Sequence, residues 1–337
     1  MLEDESGRLR LTGSFLDQVL LVTGCIVAVM GTENADGDFE VIDIQVPDLA
    51  RQPQRWERDE GDAAVGGKAV MQKKEKAGKI AIVSGLGISG DAGDTMTLDL
   101  LMEYLLGKLQ RRKSNARLLG REDMANRKTG PKKYGYDMST YNAAPTDCLD
   151  LWLSTLLPSI PITLLPGESD PTQTAVPQQP IHPALFPHSR TYMAAPDAEE
   201  SGWFDSTTNP WEGDVDGWRI MATGGQPVDD VFKYVEGEDR IQMMEAMMRW
   251  RLGAPTAPDT LWCYPFQDAD PFVIKSCPHV YVVGNQPKFD TTVIEGPNGQ
   301  SIRLITVPCF KETGELLLLD AETLDVEVVK FDVFGNA

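Results

Sequence analysis

KIAIVSGLG, residues 79–87, decides the fold class. Lys79–Ser84 is a short apolar run without polar alternation, the pattern of a strand buried on both faces, and Gly85-Leu86-Gly87 supplies the exit loop. The next segment changes its repeat. Across Thr95–Leu109, Met96, Leu98, Leu101, Met102, Leu105, Leu106 and Leu109 share one broad helical face. A buried strand feeding a helix is the unit of α/β folds. Further on, Thr146 reads as the N-cap of a helix through Leu157, with Leu149, Trp152, Leu153 and Leu156 inward. Ile162–Leu165 reads as a second buried strand, stopped by Pro166-Gly167.

Upstream, residues 8–49 read as all-β. Arg8–Thr12 alternates, Leu20–Met30 is rich in Val, Ile and Leu, and Asn34-Ala35-Asp36-Gly37 turns into the alternating strand Phe39–Ile44. This is part of a small barrel, because closure needs more strands than these. Residues 51–78 form a polar, Gly-rich linker, and 110–144 are again polar, with Tyr134, Tyr136 and Tyr141 among them. Residues 171–235 are rich in proline, glycine and aromatics. A helix over Glu238–Leu252 carries two apolar stripes, Ile241/Met244/Met248/Leu252 and Met243/Met247/Trp250. Two-sided burial explains both stripes, the alternative being an adaptable Met-rich docking face. His279–Gly284, Ser301–Val307, Leu316–Leu319 and Val326–Phe331 follow as strands.

With 31 basic and 51 acidic residues the net charge is −20, which repels phosphate backbones, whereas nucleic-acid binders usually present a basic face. Lys73-Lys74, Arg111-Arg112-Lys113 and Lys132-Lys133 read as solvated loop charges. The five cysteines (Cys25, Cys148, Cys263, Cys277, Cys309) form no CxxC pair and read as buried, reduced thiols of an intracellular protein. No stretch approaches the roughly 20 apolar residues of a membrane span. The start MLEDESGRLR is too charged for a secretory signal.

Longer strings carry a resemblance. LVTGCIVAVMG (21–31), IAIVSGLGISG (80–90), LLPGESDPTQTAVPQQPIHPALFP (164–187), TNPW (208–211), DGWRIMATGGQPVDDVFKY (216–234), APTAPDTLWCYPF (254–266) and CPHVYVVGNQPKFD (277–290) resemble the small B-type accessory subunits of replicative DNA polymerases, the delta type above all. The resemblance spans residues 2–333. It implies an α/β plus β architecture: a partial OB-fold over residues 1–50, a linker over 51–78, and an inactive calcineurin-like phosphoesterase domain over 79–337. The chain then begins inside the expected OB region. The family's apolar strand ending in Ala-Gly-Asn has only Asn115-Ala116-Arg117-Leu118-Leu119-Gly120 to represent it, so the fold is in question at that strand.

Active phosphoesterases of this type clamp phosphate with two metals held by His, Asp and Asn. Where they carry DxH, this chain has Ser84-Gly85-Leu86, and the GDxxD position falls in the shortened segment. Where they carry GNH[DE] it has Gly167-Glu168-Ser169-Asp170, and where they carry GHxH it has Gly284-Asn285-Gln286-Pro287. None of the three histidines, His182, His188 and His279, stands at a ligand position. Glu168 and Asp170 read as turn residues, since two carboxylates do not make a dinuclear site. The expectation is no catalytic residue, no metal and no cofactor. Gly85-Leu86-Gly87-Ile88-Ser89-Gly90 has the outline of GxGxxG but no ribose-binding follow-up.

The resemblance implies a nuclear scaffold for DNA replication and repair. Its partners would be the C-terminal cysteine-rich module of the catalytic polymerase subunit and a third regulatory subunit. DNA would be reached only indirectly: segments 20–31 and 39–46 contain one aromatic, Phe39, and no Lys or Arg. Trp203, Phe204 and Trp211 are the candidate exposed anchors, ahead of Trp218, which reads as the start of a strand; the alternative is that these aromatics pin the long loop onto the domain's own core. The alternative is a residual metal-dependent phosphoesterase.

Overall fold

The computed structural model describes residues 1–4, 6–57, 78–89, 95–107, 142–195 and 202–332, and the backbone of 118–121. Most of the 51–78 linker, the three basic clusters and Tyr134, Tyr136 and Tyr141 lie outside the described residues.

The N-terminal part is β-rich, as its alternation predicts. Strands β1 (Leu2–Asp4) and β2 (Gly7–Leu9) form an antiparallel pair. Strands β3 (Leu11–Thr12), β4 (Ala28–Glu33) and β5 (Phe39–Gln45) form a separate sheet in the order β3-β5-β4. The Asn34–Gly37 turn joins β4 to β5, with Asn34 Oδ1 accepting the amides of Asp36 and Asp38 (both 2.9 Å). The strand expected from Leu20 begins only at Ala28. Leu20, Val22 and Cys25 instead pack on the methionine-rich core described below. Gly24 lies so near the Pro255 carbonyl that a Cβ would sit 1.9 Å from its oxygen, and its φ of +82° suits glycine. Docking against the larger domain outcompetes sheet pairing there.

The larger domain is a sandwich of two sheets. One holds β6 (Lys79–Ser84), β7 (Leu118–Arg121), β8 (Ile162–Leu165) and β9 (Phe204–Ser206), all parallel, with β15 (Glu315–Asp320) and β16 (Val326–Lys330) added antiparallel at the β6 side. The other runs β10-β11-β12-β14-β13: Trp211–Val215, Trp218–Thr223, Val280–Gln286, Ser301–Pro308 and Asp290–Glu295. The short segment that put the fold in question is in place, since β7 sits between β6 and β8 in parallel register.

Two-sided burial explains the apolar runs. Ile80 and Ile82 of β6 face β11, β12 and β14 through Ile220, Ala222, Val280, Val282, Ile305 and Val307. Ala81 and Val83 face α1 (Met96–Leu105) and α2 (Ala144–Leu156) on the outer side. Tyr281 and Val283 of β12 likewise turn outward to α3 (Gln226–Phe232) and α4 (Arg240–Trp250). Each buried Val, Leu or Ile contributes about 1.5–3 kcal/mol, so helix, sheet, sheet and helix hold one another. Both Met stripes of α4 are buried: Met243, Met244, Met247, Met248 and Trp250 pack on the sheet and on the N-terminal segment.

Helix α2 starts earlier than its sequence suggests. Ala143 is its N-cap residue, Asn142 Oδ1 accepts the Ala144 amide (3.1 Å) and Pro145 fills the first turn, so Thr146 is a buried interior residue. The thiols differ too: none of the five forms a disulfide and Cys277 is buried, its thiol pushed up to about 12 by desolvation, but Cys148 is exposed.

Arginines join the two parts. Arg251, at the C-cap of α4, donates from Nε to the Asp48 carbonyl (2.6 Å) and from Nη2 to those of Pro47 (3.2 Å) and Leu49 (3.0 Å). Arg249 adds an ion pair with Asp48 (2.7 Å).

Buried His279 carries a pH dependence. Its Nδ1 accepts the Arg219 amide (3.1 Å), which leaves the ring proton on Nε2 for the Pro53 carbonyl. Desolvation, aided by Arg219 and Arg55 and opposed by Asp214, holds its pKa below the ordinary value of 6.5. Below that value the unfolded chain takes up a proton the native state declines, so stability falls as pH drops. The urea midpoint is expected to decline from pH 7 to pH 5.5, and His279→Asn, which keeps an acceptor near Nδ1, to flatten that decline.

Candidate functional site: a cleft of neutral amides

The ends of β6, β8, β11 and β12 meet at one edge of the sandwich. Asn285, at φ +56°, donates its amide to Ser84 Oγ (2.9 Å), and a Cβ on Gly284 would stand 2.7 Å from that oxygen. Beneath lies a cavity of about 20 Å³ lined by Ile82, Ser84, Leu165, Thr223, Gly224 and Gly284, room for one water.

Beside it is a buried network whose members stand in the quoted strings but show no role there. Asn209 Nδ2 donates to Gln178 Oε1 (2.8 Å) and to Gln226 Oε1 (3.0 Å). Its Oδ1 accepts from Thr223 Oγ1 (3.1 Å) and the Gly224 amide (2.9 Å). Gln226 Nε2 also reaches Gln178 Oε1 (2.9 Å), and Gln178 Nε2 donates to the carbonyls of Gly167 and Gln173 (both 3.0 Å). Gln286 Nε2 donates to Asp229 (3.3 Å) and to the Gly284 carbonyl (3.2 Å). The signal was TNPW and TGGQP: amides and hydroxyls in runs otherwise apolar enough to be buried.

The residues singled out at the ligand positions divide. Ser84, Leu86, Asp170 and Gln286 are buried, Asn285 is half-buried, and Glu168, Ser169 and Pro287 are exposed. Asp170 Oδ2 accepts the Gly167 amide (2.5 Å), closing the turn, so its carboxylate serves backbone geometry. Among the described residues no group of three or more His, Cys, Asp or Glu side chains converges. His182 Nδ1 caps a short helix through the Ala184 amide, and His279 sits beside Trp218. Gly85 and Gly87 face a turn of the chain itself: a Cβ would lie 2.6 Å from Cys309 Sγ at Gly85 and 2.3 Å from the Lys311 side chain at Gly87. The Lys311 amide bonds the Gly85 carbonyl (2.9 Å), whereas Gly90 lies outside the described residues.

The aromatic anchors need one correction. Phe204 is completely buried, edge-to-face against Phe186 at 5.4 Å, because alternation in β9 turns it into the core. Its neighbour Trp203 remains 48% exposed. Trp211 is half-buried at the edge of the inter-sheet core, and Trp218 does begin β11, its indole N–H donating to the Ala321 carbonyl (2.7 Å).

Comparison with known proteins agrees over nearly the whole length. The family of B-type subunits of DNA polymerases alpha and epsilon matches residues 80–291, and the DNA polymerase delta subunit OB-fold domain matches residues 1–44. The DNA polymerase delta small subunit of Saccharomyces cerevisiae is 36% identical, the match covering 99% of this chain and 70% of the yeast protein. That of Arabidopsis thaliana is 35% identical (100% and 73%), and DNA polymerase delta subunit 2 of Drosophila melanogaster is 31% identical (99% and 73%). These matches place the sequence: the chain belongs to the DNA polymerase delta small-subunit family.

Proposed function

We propose that the chain is a non-catalytic scaffold of a nuclear polymerase delta complex, binding the C-terminal cysteine-rich module of the catalytic subunit and a third regulatory subunit. Residues 79–337 would be a phosphoesterase-type domain emptied of its chemistry, preceded by a linker over 51–78 and part of an OB-fold over 1–50. The observation that carries the reading is the amide network of Gln178, Asn209, Thr223 and Gln226, neutral side chains bonded to one another. Amides saturated by each other offer neither a general base nor a set of anionic metal ligands. An acidic surface, at net charge −20, favours protein partners with basic faces and keeps DNA contact indirect. Trp203, half in solvent, is the anchor retained from the aromatic candidates.

Co-expression with the cysteine-rich module, followed by size exclusion, tests this. A one-to-one complex without bound metal on this chain is expected. A chain that elutes alone and retains near-stoichiometric Mn, Fe or Zn would instead support the phosphoesterase alternative.

A further inference from the structure

Between α4 and β12 the loop 261–270 turns its aromatics outward. Trp262 is 74% exposed, Tyr264 57% and Phe266 47%, with the last two rings edge-to-face at 5.0 Å. The loop is nonetheless firmly seated. The Val176 amide donates to the Trp262 carbonyl (2.9 Å), and the Tyr264 amide to that of Val176 (3.0 Å). Beneath them Val176, Ala254 and Phe272 form a small buried cluster, with Leu261 and Cys263 packed against it. At its root, Asp230 accepts from Thr256 Oγ1 (2.5 Å) and from Thr260 Oγ1, tying the segment to α3. The amide cleft belongs to this support, because Gln178 of the network lies two residues beyond Val176 and pairs with Asn209 through backbone as well as side chain.

A seated loop that exposes three neighbouring aromatics has the make-up of a protein contact. Its charges narrow the partner. Between Leu252 and Ile274 there is no Lys or Arg, while Asp259, Asp268 and Asp270 are all exposed. We propose that loop 261–270 docks a cationic polypeptide segment, whose Arg or Lys side chains stack on Trp262 and Tyr264 while Asp268 and Asp270 pair with their charge. Cation–π contacts on exposed rings contribute about 0.5–1 kcal/mol each and prefer Arg over Lys. Charge argues against the other occupants. A second copy carries the same −20, and nucleic acid or an anionic membrane is repelled likewise. The inference rests on the scaffold reading for the existence of a partner, and adds where that partner sits and what chemistry it brings.

The test uses the full chain labelled with 5-fluorotryptophan, the Trp262 resonance being assigned by its loss in Trp262→Phe. The probes are an alternating Arg-Gly peptide, its Glu-Gly counterpart and oligo-dT. The Arg-Gly peptide is expected to shift the Trp262 resonance saturably, and Asp268→Asn with Asp270→Asn to weaken that binding about tenfold. The other two probes should leave it unmoved. A Trp262 resonance indifferent to the Arg-Gly peptide, or equally responsive to all three, overturns the proposal. A second variant, W262S/Y264S/F266S, separates this from the scaffold reading. Its melting temperature should be unchanged, since the rings face solvent. If it still forms the complex with the catalytic module and wild-type Trp262 ignores the peptide, the surface fails and the scaffold stands. If wild type forms no complex yet Trp262 binds the peptide, the scaffold fails and the surface stands.

Discussion

Asn209→Leu is expected to lower the unfolding free energy by about 3–5 kcal/mol, among the largest effects available to a single side chain here. The two side chains share a branched shape, so no cavity opens; hydrogen bonds are lost, and the bulkier methyl groups crowd groups that stood at hydrogen-bond distance. Thr223 and Gln226 lose their Asn209 partners, and the Gly224 amide loses its acceptor. Each buried polar group deprived of a partner costs about 1–3 kcal/mol, because desolvation is no longer offset. For a domain of this size about 2–4 °C of melting temperature accompanies each kcal/mol. Urea unfolding with an unchanged m-value is the measurement. A change within about 0.5 kcal/mol, the range of ordinary surface substitutions, would mean that the network does not hold the cleft closed. Limited proteolysis should also show faster cutting at 261–266, because Gln178 and Val176 transmit the network to that loop.

Arg251→Ala is expected to loosen the N-terminal part without unfolding the sandwich. It removes three charge-assisted bonds to the carbonyls of Pro47, Asp48 and Leu49. The guanidinium is partly exposed, so the loss should be about 2–3 kcal/mol rather than the sum for buried bonds. Backbone geometry supplies a check on the cause. Arg251 has φ +57°, a left-handed conformation that costs a side-chain-bearing residue about 1–2 kcal/mol. Arg251→Gly loses the same clamp but recovers that strain, so stability should rank wild type above Gly and Gly above Ala. Proteolysis within residues 46–57 and the melting temperature together read the order. Gly and Ala variants of equal stability would place the effect elsewhere than in the clamp and its strained cap.

What could be read from the sequence was what depends on neighbours along the chain. Continuous apolar runs such as Lys79–Ser84 and Ile162–Leu165 announced strands buried on both faces, and the sandwich buries them so. The two Met stripes of α4 announced a helix covered on two sides. Composition announced the acidic balance of the chain. What tertiary structure decided was everything set by distant partners. Local hydrophobicity made Leu20–Val27 a strand, but Pro255, far along the chain, draws Gly24 onto the domain instead. Thr146 has the chemistry of a cap, yet Asn142 and Pro145 place the helix start before it. Trp203 and Phe204 are adjacent and alike in composition, and only the face of β9 sends one to solvent and the other to the core. The amide network is the clearest case. Gln178, Asn209, Thr223 and Gln226 are ordinary polar residues along the chain, because an amide's role depends on which partner the fold brings within hydrogen-bond distance of it.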